Sequence, residues 1–263
     1  MLVANPHIGA LAFPGRVIPW DGPVWGSLFA DDGPSIDLVH ALVSCDCVVA
    51  YLTSPSVEVE QRLRDSCPGD VLLADPRPPE TGHCHISSHL LAPLRGRVAV
   101  ADPLPRIRAP LPTLSEPRSH GVIVHPGGGG QHKCWPASRF AELIAQLCDH
   151  GADVAVLLGP VEADRGIGSE LAQRVPVFRP QSPLKLAARL ASAKLFVGND
   201  SGPGHVAAAV GTPVITLFGP TQAPVWRPIG RSCRVIRAPD GDLATIEVSE
   251  VRDLVLNTLE RLP

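Results

Sequence analysis

Two kinds of apolar pattern alternate along the chain. Short runs that are apolar at nearly every position predict buried strands: DCVVAYL (46–52), DVLLAD (70–75), GVIVHPG (121–127), DVAVLLG (153–159), KLFVGND (194–200), TPVITLFG (212–219) and CRVIR (233–237). Strands without polar alternation are those of a parallel sheet covered on both faces. Between them lie segments with a helical period. PASRFAELIAQLCDHG (136–151) brings Phe140, Leu143, Ile144 and Leu147 to one face, with Pro136 suited to its first turn and Gly151 to its C-terminal stop. SVEVEQRLRDS (56–66), HCHISSHLLAPL (83–94, ending near Pro93), PLKLAARLASA (183–193), GHVAAAV (204–210) and VSEVRDLVLNTLERL (248–262) read as further helices. The last presents Val251, Leu254, Val255 and Leu262 as a face that docks on a core rather than on a membrane. Strands alternating with helices predict an α/β, doubly wound fold, whose ligands sit at the carboxyl ends of the strands.

One stretch interrupts this alternation. Five prolines fall between residues 103 and 117, where neither helix nor sheet continues. The segment 101–119 therefore reads as a linker between an N-terminal domain, 1–100, and a C-terminal domain, 120–263. Composition narrows the picture further. At 263 residues with 44% hydrophobic and 19% charged positions, the chain has the make-up of a soluble globular protein. Only 4% of residues are aromatic, so the core is aliphatic. The net charge of −3 offers no basic field for nucleic acid. Seven cysteines are an odd number without a framework, as expected of reduced thiols. The N-terminus, broken by Pro6 and Pro14, does not read as a signal peptide, and no run of about 18 apolar residues is present to span a bilayer.

Four polar clusters follow strands: HPGGGGQHK (125–133), GPVEAD (159–164), GNDSGPGH (198–205) and FGPT (218–221). In a doubly wound sheet they share one rim. Glycines let backbone N–H groups approach a ligand, and helix N-termini offer free donors at a positive dipole end. Lys133 adds a formal charge and Glu162 a carboxylate able to accept from ribose hydroxyls. A nucleotide diphosphate ligand fits this set; the alternative is tight structural turns with a solvated Lys133. The P-loop and the dinucleotide fingerprint both fail to match, and Ser201 is not in a nucleophile elbow, which disfavours a P-loop enzyme, a dehydrogenase and a hydrolase. His83, Cys84, His85 and His89 cluster, with His85 and His89 one helical turn apart, but no second cluster completes a metal site, and none is expected.

The pieces HPGGGGQHKCWPASRFAELIAQL, LLGPVEADR, LAARLASAKLFVGNDSGPGHVAAAVGTPVITLFGPT and VWRPIG occur in the order found in the family 9 glycosyltransferases, the lipopolysaccharide heptosyltransferase group, which the sequence resembles over most of residues 121–230. The resemblance implies a GT-B fold of two facing Rossmann-like domains, an inverting transferase, and a nucleotide-sugar donor, usually ADP-heptose, bound by the C-terminal domain with no metal and no cofactor. It implies Lys133 on the donor diphosphate, Glu162 on the ribose or nearby donor groups, and Asn199, Asp200, Ser201, Gly202 and His205 lining the diphosphate and sugar, with Gly127 and Gly128 in the facing loop. It further implies a glycan or lipid-linked acceptor and a cytoplasmic place of action at the inner face of the membrane, with peripheral association. The family's first strand, glycine loop with an Asp, and first helix find no match here, so the N-terminal domain is expected to be incomplete. That Asp is the family's general base, and Asp21, Asp31 and Asp32 are the nearby acids without a spacing that selects one. The alternative function is a catalytically impaired nucleotide-sugar binding module.

Overall fold

The computed structural model describes residues 2–3, 5–13, 18–19, 21–80, 84–97, 104–113, 121–159, 162 and 174–262. The chain divides into two compact units, one of Met1–Gly9 with Gly15–Asp102 and one of Ala10–Pro14 with Pro103–Pro263. Residues 10–14 thus group with the second unit, where the Leu11 carbonyl accepts from the N–H groups of Arg108 at 2.8 Å and Ala109 at 3.4 Å. Residues 101–103 and 114–119 of the proline-rich segment lie outside the described residues.

In the first unit, β1 (Leu2–Val3) pairs in parallel with β2 (Ile18–Pro19), and β3 (Cys47–Tyr51) with β4 (Asp70–Ala74). The helices are α2 (Pro23–Gly26), α3 (Ile36–Leu42), α4 (Val57–Ser66) and α5 (Ile86–Leu91), after α1 (Pro6–Ala12), whose residues divide between the two units. Serine side chains start two of them: Ser35 accepts from the Leu38 N–H and Ser56 from the Val59 N–H, both at 3.3 Å. Leu38 and Leu42 of α3 meet Val59 and Leu63 of α4 over Val71 of β4 to form this unit's core. The segment expected to be helical over 83–94 is shorter. His85 is the N-cap of α5, its Nδ1 accepting from the Ser87 N–H at 3.2 Å, and Ala92–Leu94 tightens into a 3-10 turn around Pro93.

The second unit holds six parallel strands: β5 (Val122–His125), β6 (Val154–Leu157), β7 (Val177–Phe178), β8 (Leu195–Asn199), β9 (Val214–Phe218) and β10 (Cys233–Arg237). Their spatial order is β10-β9-β8-β5-β6-β7. Every residue of β5, β6, β8 and β9 is buried, which is why these strands read as unbroken apolar runs. The pleat splits them between two cores. Val122, Val124, Leu195, Val197, Ile215 and Leu217 face α6 (Ala137–Asp149) and the terminal helix α10 (Val248–Glu260). Ile123, Phe196 and Val214 face α7 (Pro183–Ala191) and α8 (Gly202–Val210). A further short helix, α9 (Ala223–Trp226), follows β9. α6 buries the predicted stripe of Phe140, Leu143, Ile144 and Leu147. Pro136 stands at its N-cap rather than inside its first turn. Gly211 ends α8 with φ 92°, a left-handed conformation that a side chain would strain.

Candidate functional site

The strand order fixes where a ligand can enter. Chain progression runs outward from β5 through β6 to β7, then resumes at β8 and runs the other way through β9 to β10. The loops leaving the adjacent strands β5 and β8 therefore diverge to opposite sides of the sheet, opening a crevice between them at the carboxyl edge. Those two loops carry the glycine-rich and the GNDSGPGH motifs.

Asn199, the last residue of β8, joins the two sides. It is fully buried. Its Nδ2 donates to the carbonyls of Pro126 at 2.9 Å and Gly127 at 3.0 Å, and its Oδ1 accepts from the Trp135 N–H at 2.9 Å. Both amide hydrogens are thereby engaged, so the Asn199 side chain holds the loop after β5 and offers a ligand no donor. Trp135 is held in turn. Its Nε1 donates to the Ile246 carbonyl at 3.1 Å, and its ring meets Phe140 edge-on with centroids 4.9 Å apart.

The glycines of this loop are not alike. A Cβ on Gly127 would lie 2.0 Å from Glu162 Oε1 and one on Gly128 would lie 3.0 Å from Cys134 Sγ, whereas one on Gly129 would meet nothing within 4 Å. Glu162 is 5% exposed and its Oε2 accepts from the Gly159 N–H at 2.8 Å, so its carboxylate is fixed between the loops after β5 and β6. His125, which sequence reasoning left out of the site, feels the Glu162 charge. It is 3% exposed and its Nδ1 donates to the Leu157 carbonyl at 2.9 Å. Burial pushes its pKa down, against the opposing pull of that carbonyl and of the Glu162 charge, which keeps the ring neutral at pH 7. The other residues of GPVEAD, 160, 161, 163 and 164, lie outside the described residues.

On the β8 side, Ser201 is the N-cap of α8 in extended conformation, yet its hydroxyl turns back to donate to the Asn199 carbonyl at 3.1 Å and does not cap the helix. The Gly202 N–H has no partner among the described residues, and a Cβ there would meet nothing within 4 Å. A helix start with an open amide and empty space before it suits an anion. Asp200 is half-buried beside this start. Burial pushes its carboxyl above the usual carboxylate range, while the Thr221 hydroxyl, Lys133 and His205 pull it back. Lys133 ends a 3-10 turn, Gln131–Lys133, closed by its N–H to the Gly130 carbonyl at 2.9 Å.

The sequence-predicted residues thus fall into two groups. Lys133, Asp200 and His205 converge at the start of α8, next to Ser201 and Gly202. Gly127 and Glu162 pack together across the crevice, with Gly128 beside Asn199 and Cys134. Thr221, the last residue of the FGPT motif, was a site residue that sequence reasoning passed over. Its signal was there, a hydroxyl in the fourth rim loop, but its closeness to Asp200 depends on β8 and β9 being neighbours. Elsewhere, His85 is engaged as a cap, His89 Nε2 donates to the Asp75 carbonyl at 2.7 Å, and His83 lies outside the described residues. Among the described residues no group of three His, Cys, Asp or Glu side chains is placed to hold a metal ion. Asp21, Asp31 and Asp32 are exposed in the first unit. No helix among the described residues is long and apolar enough to cross a membrane.

Comparison with known proteins bears on this geometry. Residues 105–253 match the model of glycosyltransferase family 9 (heptosyltransferase). Lipopolysaccharide heptosyltransferase 3 of Escherichia coli K12 is 37% identical over 118 residues, covering 42% of this chain and 34% of that protein. Lipooligosaccharide heptosyltransferase 2 of Haemophilus influenzae is 32% identical over 126 residues, covering 44% and 36%. The matched region spans about a third of the length of these curated relatives. Among solved structures, E. coli heptosyltransferase WaaC with ADP superposes with a TM-score of 0.66 at 21% identity, covering 93% of this chain and 84% of that one. E. coli ADP-heptose lps heptosyltransferase II does so with a TM-score of 0.66 at 21% identity, covering 98% and 87%. These likenesses show a shared GT-B fold. With a family model matched over more than half its length, across both loops of the crevice, the chain belongs to glycosyltransferase family 9, the heptosyltransferases.

Proposed function

We propose that the crevice of the second unit binds a nucleotide diphosphate sugar, with ADP-heptose as the donor, and that the protein transfers the heptose with inversion to a hydroxyl of a lipopolysaccharide-type glycan. The observation that carries this reading is the Asn199 bridge. It fixes a glycine loop opposite an uncapped helix start, with Lys133 and the open Gly202 N–H converging where a diphosphate would lie. The names of the matched relatives supply the sugar and the acceptor class.

In this reading the acceptor oxygen attacks the anomeric carbon as the bond from that carbon to the diphosphate oxygen breaks, and the acceptor proton passes to a base. Charge then grows on the leaving diphosphate. Lys133, the Gly202 N–H and the dipole of α8 stabilise it in place, which lowers the barrier because these groups are oriented before the reaction. Glu162, anchored by the Gly159 N–H, accepts from the ribose. Asp200 faces the heptose: a carboxylate would repel phosphate oxygens, whereas sugar hydroxyls donate to it. The site of action is the cytoplasmic face of the inner membrane, where a soluble donor meets a lipid-linked acceptor.

Isothermal titration with ADP and with ADP-heptose tests the binding half. Lys133→Ala is expected to weaken both by more than about tenfold, the loss of one charge-assisted contact to phosphate. Absence of binding by the wild type, or unchanged affinity in the variant, would overturn the assignment. Heptose transfer to a lipopolysaccharide core acceptor tests the other half; a chain that binds the donor yet neither transfers nor hydrolyses it is a binding module.

A further inference from the structure

Two buried side-chain oxygens among the described residues have no hydrogen-bond partner, Thr216 Oγ1 and Thr221 Oγ1. Thr216 lies within β9, opposite Gly198 of β8, and is fully buried. Thr221 is different. It stands three residues beyond β9, on the rim, near the residue that follows β8. That residue is Asp200, whose own N–H is fixed to the Leu217 carbonyl at 3.0 Å. The Thr221 hydroxyl is near enough to the Asp200 carboxylate to pull its pKa down, and no other group engages its buried oxygen.

A buried hydroxyl is unfavourable to leave without an acceptor, and the carboxylate beside it is the acceptor at hand. From this we infer that Thr221 is a positioning residue: its hydroxyl donates to one oxygen of the Asp200 carboxylate, leaving the other oxygen turned toward the hydroxyls of the donor sugar. The Asp200 backbone is fixed by the sheet, so the remaining freedom is rotation of the carboxylate. A hydrogen bond from the neighbouring strand's loop removes it. The inference rests on the reading above that Asp200 accepts from the sugar.

The groups facing Asp200 are Thr221 from the loop after β9, Lys133 from the loop after β5 and His205 from α8. All three favour the charged carboxylate, against burial. Loss of the Thr221 hydroxyl therefore raises the carboxyl's pKa further. Binding that needs ionised Asp200 fails as pH falls through that pKa, so the acid limb of donor binding moves to higher pH in Thr221→Val.

The test is a double-mutant cycle read by titration of ADP-heptose across pH, with Thr221→Ser as the conservative variant and Thr216→Val as a control for a buried hydroxyl without a role in binding. Thr221→Val is expected to weaken ADP-heptose roughly fivefold to tenfold while leaving ADP, which lacks the sugar, within about twofold. Thr221→Ser restores affinity. In an Asp200→Asn background the same substitution adds nothing. Thr221→Val losses that are equal for ADP and ADP-heptose, or that add fully to those of Asp200→Asn, would overturn the inference and assign the hydroxyl directly to the nucleotide or to the fold. If Asp200→Asn itself leaves ADP-heptose affinity unchanged, the reading of Asp200 falls instead, independently of Lys133.

Discussion

Asn199 connects strand, loop and aromatic anchor through one side chain. Replacing it by Ala leaves the Trp135 N–H and the Pro126 and Gly127 carbonyls without their partner in a fully buried place. The expected loss is about 3–5 kcal/mol, measured as a lowered urea midpoint at unchanged slope, with donor binding lost in parallel. Asp200→Asn should do the opposite to stability. The folded carboxyl has a raised pKa, so the ionised form disfavours the fold at pH values above that pKa and the penalty disappears below the unfolded value. At pH 7 the neutral amide is expected to raise the melting temperature while weakening the donor sugar, and the stability gain should vanish toward pH 3. A melting curve that shows no gain at pH 7 would contradict the burial of that charge. The polar character of GNDSGPGH was plain in the sequence, but the division of labour within it was not. Asn199 and Asp200 are chemically similar neighbours; one points into the protein because its partners stand 64 to 73 positions earlier in the chain.

At the scale of elements, the strands and helices of the second unit follow their patterns closely, because each buries one kind of face. α6 is the clearest case. Leu143 is wholly buried in the core shared with α10, and Leu143→Ala is expected to cost about 2–5 kcal/mol, read from chemical denaturation. What sequence missed was short. β7 has only Val177 and Phe178, too few for a period, and forms because β6 presents an open edge to it. α3 spans seven residues, and its Leu38 and Leu42 gain meaning only against Val59 and Leu63 of α4. The helix expected over 83–94 ran too long, since capping by His85 fixes its start and Pro93 tightens its end, both local effects stronger than the apolar pattern.

At the scale of the molecule, the second unit contains six strands, both sheet faces and both loops of the crevice. A fragment of residues 103–263 lacks only residues 10–14 from that unit, and with them the carbonyl that accepts from Arg108 and Ala109. It is expected to unfold in one cooperative transition and to bind ADP within about threefold of the whole chain; a fragment without a thermal transition would show that residues 10–14 are needed for this unit to fold. The attachment of residues 10–14 to the later unit had no local signal in the sequence. The tight seating of Gly127 against Glu162, with no room for one more carbon, has an implication of another kind. Drift at either position is conditional on the other, so across related sequences a larger residue at 127 should appear only together with a shorter one at 162, and the loop's history should be written in pairs of substitutions.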